Sequence, residues 1–198
     1  MFDRKTTSEK ISATLSKLAD DVDAAAGNDY RRYTSRLAPG DTIEPMDGTI
    51  RTDDGRAECS RIIAAAKERV REICDQARDE ALAEMAEAPS PAATAFIAGL
   101  EARDKVSADE LVAGLRAYGD NWTAYNAMMA LVKREETRQK TIIPINVSNT
   151  LEGATDYIDG ARASASTTIS KCFRNPTKPD TAGLRLHVSF SQYLGEIL

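Results

Sequence analysis

Residues 56–88 run without a glycine or proline, and Cys59, Ile63, Ala66, Val70, Ile73 and Ala77 recur within them at alternating steps of four and three. That rhythm places all six on one side of an α-helix, while charge-rich runs such as Lys67-Glu68-Arg69 and Asp75 to Glu80 fill the other faces. After Ala77 the rhythm slips: its next position is Glu80, and the apolar residues move to Ala81, Leu82 and Met85. A stripe of about three heptads meets the lower bound for a coiled-coil seam. It serves either self-association through Ile63, Val70 and Ile73 or packing on the chain's own core.

The rest of the chain is organised around this helix. Aromatic residues make up only 6% of the 198, so long, thin, alanine-rich helices are expected in place of a thick core. Residues 1–27 form an amphipathic helix, with Thr6 and Glu9 at capping-box spacing, a stripe of Ile11, Leu15, Leu18 and Val22, and a stop near Gly27-Asn28. Residues 28–55 lose periodicity and read as a linker, with a weak edge hairpin around Asp47-Gly48 as the ordered alternative.

Residues 89–139 read as a three-helix unit. Ser90-Pro91 starts the first helix and Ser107 with Glu110 caps the second, where Val106 and Leu111 sit at hydrophobic-staple positions. Gly119 is expected to take a left-handed conformation at the end of that helix. Asp120 or Asn121 then caps a third helix carrying Trp122, Tyr125, Met129 and Val132. Residues 140–198 change period: Ile143, Ile145 and Val147, and again Leu184, Leu186, Val188 and Phe190, alternate as in half-buried strands on either side of a helical stripe from Leu151 to Cys172. The expected fold is mainly α, built of elongated helices with a short coiled-coil seam, a compact three-helix unit and a small strand-helix-strand C-terminal part.

The chemistry of the chain points away from catalysis. A net charge of −5 argues against a protein whose main task is neutralising phosphates. Cys59, Cys74 and Cys172 form no Cys-x-x-Cys pair, so neither a disulfide framework nor a metal site is expected. No window approaches the length of a membrane span. Glycine-rich phosphate loops and nucleophile turns are lacking, and His187, the single histidine, falls on the polar side of its strand pattern. The expectation is a non-enzymatic protein without a cofactor. The alternative is a helical DNA-associated regulator using residues 107–138 as a helix-turn-helix, with Asn121, Trp122, Thr123 and Asn126 towards the bases. Against it, Asp104, Asp109, Glu110 and Asp120 would stand near phosphates, and Lys133, Arg134, Arg138 and Lys140 come only at the far end.

The stretch LEARDKVSADELVAGLRAYGDNWTAYNAMMALVKRE, residues 100–135, resembles a helical unit of small head-assembly proteins, scaffolding-like or minor head components, of tailed bacteriophages and prophages. Leu100 and Arg103 before the turn, Ser107, Glu110 and Leu111 at the helix start, then Tyr118, Asn121, Ala124, Ala127 and Leu131 carry the resemblance. It implies a homo-oligomer that binds phage coat protein, located in the virion or procapsid and in the cytoplasm of the bacterial host. On that reading Ile63, Val70 and Ile73 serve self-association, and the basic Lys171, Arg174, Lys178 and Arg185 are candidate coat contacts.

Overall fold

The computed structural model describes the backbone of residues 1–195 and the side chains of residues 1–190. Its helices are α1 (Arg4–Thr34), α2 (Asp53–Met85), α3 (Pro91–Glu101), α4 (Ala108–Tyr118), α5 (Trp122–Gln139), α6 (Ala154–Cys172) and α7 (Thr181–Gly195), and no strand occurs among the described residues. The chain is thus mainly α. It divides into two compact units, one made of Met1–Asp3 with Ala77–Asp156 and the other of Arg4–Gln76 with Tyr157–Leu198.

In the unit containing the chain's middle, α3, α4 and α5 bury Ile97, Leu100, Val106, Leu111, Leu115, Met128, Leu131 and Val132 in a common core. Each such side chain contributes about 1.5–3 kcal/mol on burial. The helix starts follow from local chemistry. Ser90 accepts from the Ala93 amide, Asn121 accepts from the Ala124 amide, and Ser107 exchanges bonds with Glu110 in a complete capping box. Gly114 is required for close packing, because a Cβ there would lie 2.3 Å from the Met128 methyl and 2.5 Å from Phe96. Gly119, expected to be left-handed, has φ −70° and is right-handed. Space accounts for it: a Cβ would come within 2.3 Å of the Leu115 carbonyl oxygen. Lys140, at φ 51°, is left-handed and ends α5.

The expected strand-helix-strand part is corrected at both strands. Ile143 is buried and Ile145 and Val147 pack against the α3–α5 core, so their alternation is real, but the chain lies extended on helices with no neighbouring strand. Asn149 fixes this segment, donating to the carbonyls of Gly119 at 2.6 Å and Asp120 at 3.1 Å. The second stretch is helical. Leu184 and Val188 are spaced by four and buried, while Leu186 and Phe190, also spaced by four, are exposed. An alternating run of four apolar residues contains two such pairs, and Asp180 resolves the ambiguity by capping α7 through the Gly183 amide at 2.8 Å.

In the other unit the helices run antiparallel in chain order. Arg32 pairs with Glu58 between α1 and α2, Arg162 with Asp75 between α6 and α2, and Thr181 and Arg185 of α7 with Asp23 and Asp20 of α1. α1 comes into close backbone contact with α7, whereas the α1 and α2 backbones stand farther apart. α1 does not stop at Gly27-Asn28: it continues to Thr34, with Asp29 buried on the stripe that begins with Leu15, Leu18 and Val22.

Candidate interaction surface

The connection between α1 and α2, residues 35–52, makes an ordered strap. Asp29, fully buried on α1, accepts from the Thr52 amide at 3.1 Å, from the Thr52 hydroxyl and from the Arg51 amide. Thr52 in turn accepts from the Gly55 amide at 3.0 Å, so the buried carboxylate stands against the donor-rich first turn of α2. The Arg51 guanidinium lies over the rings of Tyr30 and Tyr33, at 5.5 and 5.4 Å, and donates to the carbonyls of Thr49 and Pro45 and to Asp47. The Asp47 carboxyl is held down to about 2, by Thr49 first and Arg51 after it. Gly48 supplies the positive φ of +78° expected for the Asp47-Gly48 turn. Ile50 is buried, and its amide donates to the Thr177 carbonyl at 2.7 Å. Outside this clasp the strap exposes Ile43 and Met46, 63% and 60% accessible.

Where α1 and α2 stand apart, an open groove of about 590 Å³ runs between them. Leu18 and Ile73 form its buried floor, with half-buried Ile62 and exposed Ala13 and Ala65 on its walls. Lys10, Lys17 and Arg69 line it against one carboxylate, Asp21. Lys17 and Asp21 form an i,i+4 pair at 2.9 Å. The groove is apolar at its base and basic at its edges.

The candidate self-association residues do not share one surface. Val70 and Ile73 are 3% and 5% exposed, Ile73 in the groove floor, while half-buried Ile63 borders a second recess of about 280 Å³ with Cys59, Phe173 and Pro176. Among the candidate coat contacts, Arg185 is bound to Asp20 and Asp23 at 2.7 and 2.6 Å. Lys171, Arg174 and Lys178 are exposed, and Lys171 borders a shallow recess near His187. Asp29, Arg51 and the groove walls were missed by sequence reasoning. The one available signal was Asp29, a carboxylate seven residues beyond Val22 on an apolar stripe.

Burial pushes the Cys59 thiol up to about 11, with Glu58 and Asp29 adding to the effect, and burial followed by the Asp180 charge raises that of Cys172. His187 places its Nε2 3.2 Å from the Thr168 hydroxyl. No group of three or more metal-ligating side chains occurs among the described residues. In the helix-turn-helix stretch, Asn121 is occupied by capping and by a bond to the Glu87 carbonyl. Trp122 stacks on Tyr125, whose hydroxyl donates to Glu152 at 3.0 Å. Arg138 and Arg134 bracket the buried Glu135 at the end of α5, and Arg138 above all lowers its carboxyl.

No helix of the described residues is long and apolar enough to cross a membrane. Comparisons with protein families, curated proteins and solved structures return no match.

Proposed function

We propose that this chain is a non-enzymatic, self-associating helical assembly protein, of the scaffolding-like or minor head class of tailed phages and prophages, that gathers copies of itself and coat subunits as a head forms. The α1/α2 groove carries the self-association half of this reading, being an open apolar floor with a charged edge. Small grooves of this kind bind weakly, and reversible contacts suit a protein that must assemble and rearrange. The phage half rests on the resemblance of residues 100–135, and coat binding through Lys171, Arg174 and Lys178 belongs to it. Sedimentation velocity across a wide concentration range is the direct test. Mass-dependent association is the expected outcome, and a monomer at every concentration overturns the reading. Capsid, portal and terminase genes beside its own are expected, and metabolic neighbours count against the phage assignment.

A further inference from the structure

We infer that the recess between α2 and the loop after α6 docks an acidic protein segment, one that presents a bulky apolar side chain between carboxylates. The inference deepens the reading of Arg174 and Lys178 as a contact with another protein and rests on it.

The recess lies within a single unit. Ile63 and buried Cys59 of α2 form one side, and Phe173, Pro176 and Pro179 form the other, around a space of about 280 Å³. Water held against such walls is readily exchanged for an apolar side chain. The loop is also fixed in advance. The Thr177 carbonyl accepts from the Ile50 amide at 2.7 Å, Asn175 accepts from the Thr177 amide at 3.0 Å and its hydroxyl at 2.7 Å, and the Asp180 amide donates to the Cys172 carbonyl at 2.8 Å. A wall tied in this way loses little entropy when a partner arrives.

Charge decides which kind of segment fits. Lys67 lines the recess, and no carboxylate does so among the described residues. The Lys67 ammonium stands 3.4 Å from the Ser170 hydroxyl, a neutral partner. Arg174 and Lys178, on the loop that makes the far wall, are exposed and form no ion pair among the described residues. The acids nearest to them in sequence are engaged elsewhere: Glu58 with Arg32, Glu68 with Arg71, and Asp180 with the Gly183 amide at the start of α7. Carboxylates from a partner therefore meet cations without displacing an existing ion pair.

A nucleic acid would satisfy the cations but set phosphate and sugar against the apolar walls, and the net charge of −5 works against it. An apolar residue between carboxylates meets walls and cations together.

Fluorescence anisotropy with the full-length protein tests this. The probes are two labelled peptides, one with leucine and one with serine between two pairs of glutamates. The leucine peptide is expected to bind the wild type at least about tenfold tighter, the effect of burying one aliphatic side chain. Lys67→Glu with Arg174→Glu is expected to weaken both peptides by about tenfold or more. Ala64→Trp fills the recess from an exposed lining position and keeps every cation, so the two peptides should then bind alike. Ser60→Trp, at another exposed lining position, replaces it should that variant lose its far-UV circular dichroism spectrum. Equal binding of both peptides to the wild type, or a leucine preference that survives the filled recess, overturns docking there while Arg174 and Lys178 stand as a charged contact. A wild type that binds neither peptide at millimolar concentration overturns both.

Discussion

Asp29 and Gly55 form a pair whose energetics follow from a single geometry. A Cβ on Gly55 would lie 2.2 Å from Asp29 Oδ1, 2.6 Å from its Cγ and 2.9 Å from its Cβ. Gly55→Ala gains up to about 1 kcal/mol of helix propensity but forces a buried carboxylate aside, and overpacking of that kind costs about 1–3 kcal/mol. The net expectation is about 2 kcal/mol of destabilisation. Asp29→Ala removes the acceptor for the Arg51 amide and for the Thr52 amide and hydroxyl. Bonds to a charged group are worth about 1.5–3 kcal/mol each, but Arg51 and Thr52 are half-buried and water replaces part of the loss, so about 3 kcal/mol is expected. In the Asp29→Ala background two of the three clashing atoms are gone, and the Cβ contact that remains at 2.9 Å is offset by the gain in helix propensity, so Gly55→Ala becomes nearly neutral. The double variant should therefore lose about 3 kcal/mol instead of the additive 5, a coupling of about 2 kcal/mol. Urea unfolding of all four proteins, followed by far-UV circular dichroism, measures it. Additivity within about 0.5 kcal/mol would refute the account of the clasp.

Other outcomes are expected from the same structure. Ile73→Asp places an unpaired carboxylate at a position 5% exposed, so its thermal transition should fall by the equivalent of about 3 kcal/mol or more; unchanged stability would mean that Ile73 is a surface residue. Arg51→Ala should free the strap, and limited proteolysis should then cut within residues 38–50 much faster than in wild type while helix content is kept. The Glu110 carboxyl is lowered from 4.5 to about 2, by Arg103 first and then Ser107. Its folded-state value is depressed, so its contribution to stability is present above about pH 4.5 and lost as pH falls towards 2. Thermal melts of Glu110→Gln across that window should show a flatter acid limb than wild type.

Several features that sequence made legible were set by neighbours a few residues away, although the capping box expected at Thr6 and Glu9 is not one of them, because α1 starts at Arg4 and Thr6 lies inside it. The capping box of Ser107 and Glu110 and the caps at Ser90 and Asn121 need only the first helical turn, and the structure contains each of them. The stripe of Ile11, Leu15, Leu18 and Val22 is likewise buried. The alternation at 184–190 was misleading because it holds a strand period and two helical i,i+4 pairs at once, and the choice falls to the Asp180 cap and the ion pairs of Arg185 with α1. Gly27-Asn28 looked like a stop, yet Asp29 just beyond it is bonded to Arg51 and Thr52 some twenty residues on, a partner set that no local window contains. The groove was invisible for the same reason, since it arises from the spacing of two helices and not from any residue motif.

The two compact units also impose an order on the making of this protein. The segment Ala77–Asp156 interrupts the unit built from Arg4–Gln76 and Tyr157–Leu198. As the chain leaves the ribosome, α1 and α2 are complete long before α6 and α7 exist to cover them, whereas α3, α4 and α5 find their partners within a few tens of residues. Low contact order favours the inserted unit as the first to fold, and the outer unit closes last, across the largest loop in the molecule. Until then the stripe of Leu15, Leu18 and Val22 stays uncovered by its final neighbours. The nascent chain thus passes through a stage at which the apolar stripe of α1 is open to other chains before its own partners have been made.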